Sequence, residues 1–184
     1  MASVTPRTRR EPVQLPDIET LLSLFDYSPE TGVLRWRPRP VIRYDDRAWN
    51  TKYAGREAGY LSVRGYRVVD IARATYKVHR VVYKIVTREE PPAQIDHING
   101  DYSDNRIENL RPATPSQNCA NKPVQRNSTT GVKGVSFDRR RGLFMARVQF
   151  MGQSYYAGLF KTLEAAKAAR DSKARQLHGE FFRG

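Results

Sequence analysis

The sequence predicts an α+β chain of small antiparallel sheets, and three observations carry that prediction. Residues 57–87 show hairpin-like alternation followed by apolar residues on one helix face. Two short strand candidates then precede a well-marked helix start at Thr114. Finally, residues 132–184 read as three short strands joined by tight turns and closed by one amphipathic helix.

Taken in order, residues 1–15 hold Arg, Pro and Thr without apolar periodicity and read as a flexible basic arm. Leu21, Leu22, Leu24 and Phe25 predict a short helix over 17–25, and "SPETG" turns the chain into a strand, "VLRWR". Alternation around Arg64-Gly65 predicts a hairpin, after which Val81, Val82, Ile85 and Val86 fit one face of a helix. The following stretch is turn-rich, with strand candidates around Ile95 and over 110–113. Thr114 is a good N-cap, Pro115 suits the first helical position, and Gln117 completes a capping box, so a helix begins there. From Pro123 the polar run "PVQRNSTTG" reads as a linker. Turns at "RRRG" and "MGQ" then separate three strands, with Phe144, Ala146, Val148 and Phe150 alternating along the middle one. "LEAAKAARDSKARQLHGE" predicts a helix ending near Gly179. The expected organisation is an arm (1–15), an α+β region (16–122), a linker (123–131) and a sheet-and-helix domain (132–184).

Composition narrows the partners. The 184 residues are 39% hydrophobic, enough for at least one core, yet the formal charge is +13 with pI near 10.2. Such a balance calls for a polyanion. An anionic membrane would need an amphipathic basic helix or an apolar anchor, and the sequence has neither, so double-stranded DNA is the expected partner. Cys119 is the sole cysteine, which excludes an intramolecular disulfide and a cysteine-rich structural zinc site. The first residues lack an apolar leader, and a cytoplasmic location is expected.

The stretch "QIDHINGD" carries the chemistry. Phosphodiester hydrolysis needs an activated water, a cation against the phosphate charge and help for the departing oxygen. Asp96 and the amide oxygen of Asn118 are hard ligands suited to Mg²⁺ or Mn²⁺, and the His97 imidazole can take a proton near neutral pH. Adjacent strand residues face opposite ways, so Asp96 and His97 can share a site only if the strand ends there. The Asn99-Gly100-Asp101 turn makes that reversal.

"IDHINGDYSDNRIENLRPATPSQNCAN" closely resembles the HNH motif of phage and intron-encoded homing endonucleases. The resemblance implies a ββα-metal (His-Me finger) unit over 94–122. It makes His97 the general base, Asp96 and Asn118 the ligands of one divalent metal ion, and Asn109 of "ENLR" the residue that holds the His-bearing loop. It implies products with 5′-phosphate and 3′-hydroxyl ends, and a phage or prophage origin. "VHRVVYKI" resembles the same proteins, placing Arg80 near substrate backbone, whereas His79 reads as a packed structural histidine. Asn105 and Asn121 stay open between site and scaffold.

In the C-terminal half, seven Lys or Arg against one acid fall between Lys122 and Arg147, interleaved with aromatics. Basic side chains on a small sheet can straddle phosphates in a major groove. The segment from "GVKGVSF" to "HGEFF" resembles the ethylene-response-factor (Apetala-type) DNA-binding domain, which implies DNA contacts from Arg139, Arg141, Arg147, Gln149 and Tyr155. Phe144 stands where that family often has Trp. The resulting expectation is a monomeric, metal-dependent DNA endonuclease, nicking or cutting both strands, with a non-cleaving DNA-binding regulator as the alternative.

Overall fold

Asp17 starts the first helix. Its Oδ1 accepts the Thr20 N–H at 2.7 Å, capping α1 (Ile18–Leu24). The helix stops short of Phe25, which is extended because β1 (Phe25–Ser28) pairs antiparallel with β2 (Val33–Trp36). That pairing sets the Phe25 ring 4.7 Å from Trp36, and tertiary packing overrides the helical spacing of the apolar residues.

α2 (Tyr44–Tyr53) has no counterpart in the sequence reading. It buries none of its residues, so it carries no apolar stripe to read. Local bonds hold it instead. Asp46 Oδ2 accepts the N–H groups of Ile42 and Arg43 at 2.9 and 2.6 Å, and Trp49 meets Trp36 edge-on at 5.5 Å.

The expected hairpin is present as β3 (Tyr60–Leu61) against β4 (Arg67–Ile71), and β5 (Ala74–Lys77) extends the sheet in the order β3-β4-β5. Ala72 and Arg73, both at positive φ, make the second turn. α3 (Val78–Thr87) buries Val78, Val81, Val82 and Ile85, while Val86 is 41% exposed. The stripe is therefore i, i+3, i+4, i+7 from Val78, which corrects the face read from sequence. Excluding each of these valines from water stabilises the fold by on the order of 1.5 kcal/mol.

Gly59 admits β4. It sits at φ 87°, and a Cβ there would meet Val68 O at 2.1 Å. Gly59→Ala should lower unfolding free energy in urea by about 2–3 kcal/mol, combining left-handed strain with a backbone clash.

These elements form the first of two compact units, which divide between Glu89 and Glu90 in the computed structural model; the structure describes residues 14–122, 124 and 128–182. Most of the expected arm, 1–13, and residues 123 and 125–127 of the expected linker lie outside the described residues. Leu15, at the end of the expected arm, is buried.

The second unit holds the motif and the C-terminal sheet together. β6 (Ile95–His97) pairs antiparallel with β7 (Leu110–Pro112), and α4 (Pro115–Asn121) follows with both halves of the Thr114–Gln117 capping box formed. β8 (Val135–Asp138), β9 (Leu143–Phe150) and β10 (Gln153–Phe160) make a sheet in the order β10-β9-β8. α5 (Leu163–His178) crosses it, packing Ala166 and Leu163 on Val135, Ala146 and Phe144. A single 3₁₀ turn, Gly179–Phe181, follows α5 and is capped by Phe182. Among the described residues no helix is long and apolar enough to cross a membrane.

Candidate active site

All three residues of β6 are buried, and the strand ends at His97. The Gly100 N–H bonds His97 O at 2.8 Å with Gly100 at φ 71°, so the chain reverses directly after the histidine. Opposite faces of so short a strand then serve one site: Asp96 stands across from Arg111, and His97 across from Leu110.

The loop that carries His97 is tied at several points. Asn109 Oδ1 accepts the Asn99 N–H at 2.9 Å, its Nδ2 donates to Asp104 O at 2.9 Å, and its carbonyl accepts the Ile98 N–H. Asn99 Nδ2 donates to Asp104 Oδ2 at 2.8 Å, and Asp101 takes both the N–H and hydroxyl of Ser103. The Arg106 guanidinium holds the Asp104 carboxyl well below the usual range, at about 2, so this anchor stays charged at any physiological pH.

His97 is 1% exposed, with Tyr102 edge-on at 5.7 Å. Burial pushes its imidazole below the ordinary 6.5, against the opposing pull of a side-chain hydrogen bond with Asn105 and of the carboxylates of Asp96, Asp104 and Asp101. The imidazole is therefore neutral at pH 7, the form that accepts a proton. Asn105, left open by the sequence, is 2% exposed and fixed by donation to Ser103 O.

Asp96 is 2% exposed and heavily engaged. Arg111 Nε and Nη2 both donate to its Oδ2, at 3.1 and 3.0 Å. From α4, Asn121 Nδ2 donates to Asp96 Oδ1 at 3.0 Å and to His97 O at 2.6 Å. Asn118, one turn earlier, instead donates to Gln94 Oε1 at 2.9 Å. The α4 side chain that touches Asp96 is thus Asn121. Spacing of three along a helix puts both on neighbouring faces, and only packing selects between them.

Whether the donors suit a divalent ion turns on the acceptor sites left on Asp96. A carboxylate offers about four acceptor positions. Arg111 places two donors on Oδ2, which Asn121 also meets at 3.1 Å, whereas Oδ1 meets only Asn121 and has acceptor capacity to spare for a hard cation. Among the described residues no group of three His, Cys, Asp or Glu side chains gathers to hold a metal. One carboxylate with amide, water and phosphate oxygens is a donor set that Mg²⁺ accepts, so the residues fit.

Arg111 was not singled out from sequence; its place directly across the hairpin from Asp96 is the signal that finds it. Of the expected DNA contacts, Arg80 lies half-buried on α3 in the first unit. Arg139 and Arg141 are exposed around the β8–β9 turn. Arg147 and Gln149 alternate with buried Ala146 and Val148, so they face away from α5. Tyr155 pairs with Val148 and is half-buried on the helix side, while Tyr156 pairs with Arg147 and is 57% exposed. Of the two, Tyr156, not taken as a DNA contact from sequence, is the one on the open face.

A family model described as HNH endonuclease matches residues 76–120. Protein 3.8 of Escherichia phage T7 is 32% identical over 89 residues, which are 48% of this chain and 73% of that protein. An uncharacterized HNH endonuclease of Acanthamoeba polyphaga mimivirus is 32% identical over 125 residues, 66% of this chain and 63% of its own length. No solved structure matches the chain.

Proposed function

This chain belongs to the HNH endonuclease family, and on that footing we propose that it is a metal-dependent DNA endonuclease that hydrolyses phosphodiester bonds in duplex DNA. The observation that carries the reading is a buried Asp96-His97 pair at the very end of a strand, in a loop braced by Asn109.

In this mechanism Asp96 Oδ1 and the Asn118 amide oxygen would hold the ion, while Asn121 keeps Asp96 and the His97 carbonyl in register. A divalent ion, Mg²⁺ or Mn²⁺, when bound supplies positive charge against the phosphate oxygens. His97, neutral at pH 7, takes a proton from the attacking water. Asn109 keeps the histidine loop from shifting as the phosphate enters. Attack on phosphorus with departure of the 3′ oxygen leaves 5′-phosphate and 3′-hydroxyl ends.

The C-terminal sheet, which resembles the ethylene-response-factor domain, binds the duplex through its open face. Arg147 and Gln149 point into the groove, with Arg139 and Arg141 on the phosphates at the turn, and Arg80 adds a backbone contact. In biological terms the protein acts as a monomer, a free-standing homing nuclease of phage or prophage in the bacterial cytoplasm.

Supercoiled plasmid and phage DNA incubated with Mg²⁺, Mn²⁺ or EDTA test this. Nicked or linear product with either metal, none in EDTA, and ends that a ligase reseals directly are expected. A protein that binds duplex but cuts no substrate with either metal is instead the non-cleaving regulator.

A further inference from the structure

Arg111 is held on three sides. One edge of its guanidinium, Nε and Nη2, grips Asp96 Oδ2, and Nη1 donates to Glu180 O at 3.1 Å. Its plane lies over the Phe181 ring, 3.7 Å from the centroid, and Phe181 is itself 7% exposed. Glu180 and Phe181 belong to the 3₁₀ turn that follows α5, with Glu180 69 positions beyond Arg111. A guanidinium pinned in this way fixes which carboxylate oxygen it covers: Asn121 of α4 meets both oxygens, Oδ1 at 3.0 and Oδ2 at 3.1 Å, but Arg111 bonds Oδ2 alone and leaves Oδ1 with acceptor capacity.

The C-terminal elements also brace α4. Lys133 Nζ donates to the carbonyls of Cys119, Ala120 and Lys122, each at 2.8 Å, and the Met151 N–H donates to Ser116 Oγ at 2.9 Å. Three separate contacts thus run from the C-terminal elements to the two sides of the motif, β7 and α4.

We propose that Arg111 is the positioning residue for the Asp96 carboxylate and that the Gly179–Phe181 turn sets Arg111, so that the turn after α5 completes the cutting site. The inference rests on the nuclease reading. It makes the C-terminal region part of the catalytic unit and not only a tethered DNA-binding module. A carboxylate with one oxygen anchored loses less freedom when its other oxygen takes a ligand, which is how outer partners tune a metal site.

The test uses the full chain with Phe181→Leu, which keeps apolar burial but removes the ring under the guanidinium, and Arg111→Lys, which keeps charge but not the two-pronged grip. Two quantities are read. Mn²⁺ binding without DNA is followed by the free-ion paramagnetic signal, and plasmid nicking is resolved into kcat and KM. Both variants should weaken Mn²⁺ binding and lower kcat by about 10–100-fold with KM for DNA unchanged. Circular dichroism identifies any variant that fails to fold, and the other then decides. Variants that melt earlier but match wild type in Mn²⁺ binding and kcat overturn the proposal and leave a plain structural ion pair. A wild type that neither cuts nor holds Mn²⁺ overturns the nuclease reading and this inference together.

Discussion

His97→Ala is expected to lower metal-dependent plasmid cleavage by about 10²–10⁴-fold, the range for losing a positioned general base. Duplex binding in a gel shift should persist, because the basic side chains lie on other elements. His97 is packed at the end of β6, so the alanine also leaves a cavity, and His97→Gln serves as the companion variant of similar volume. The sign of the pH dependence follows from burial. The imidazole sits below 6.5, so the base form predominates at pH 7 and cleavage is lost only as pH falls below that value. A wild-type rate that already declines between pH 8 and pH 7, or a His97→Gln variant that still cuts at the wild-type rate, contradicts the assignment.

The second large effect is Asp96→Ala, for which cleavage and fold stability should fall together. Removing the carboxylate leaves Arg111, only 15% exposed at its side chain, without its anion. Breaking one partner of such a buried pair costs about 3 kcal/mol, measured here as a drop in unfolding free energy in EDTA. Glu180 O and the Phe181 ring still hold the guanidinium, which puts the loss at the low end of the usual range. Asn118→Ala is the contrast. Its single bond to part-buried Gln94 is worth about 1 kcal/mol, so a loss of cleavage there without matching destabilisation points to a role in the reaction. Equal stability of Asp96→Ala and wild type would mean that Arg111 and Asp96 do not pair in solution.

Elements with local chemistry were legible from sequence. Thr114, Pro115 and Gln117 mark the start of α4, and the structure forms both capping bonds. The three C-terminal strands and α5 follow from alternation and tight turns, with Gly179 ending the helix. Other features were hidden because their cause is not local. Phe25 is apolar in a helical frame, yet pairing with Trp36 makes it a strand residue. α2 has no buried residue and so no periodic signal. Tyr155 and Tyr156 are adjacent, and cross-strand register alone sends one toward α5 and the other to the open face.

The chemical inventory of the site is already present in the unfolded chain: a carboxylate beside an imidazole, a Gly-bearing turn segment after them, and amides on a segment with a helix-cap signal. These are matters of residue type and short spacing, which the chain carries without folding. Which side chain meets which follows from the packing of whole elements. Asn121 and Asn118 share neighbouring helix faces, and the angle at which α4 packs on β6 brings the first to Asp96. Arg111 reaches Asp96 through strand pairing, and Phe181 reaches Arg111 across about seventy residues of chain. Contacts of that range depend on where whole elements come to rest, and no local spacing encodes them.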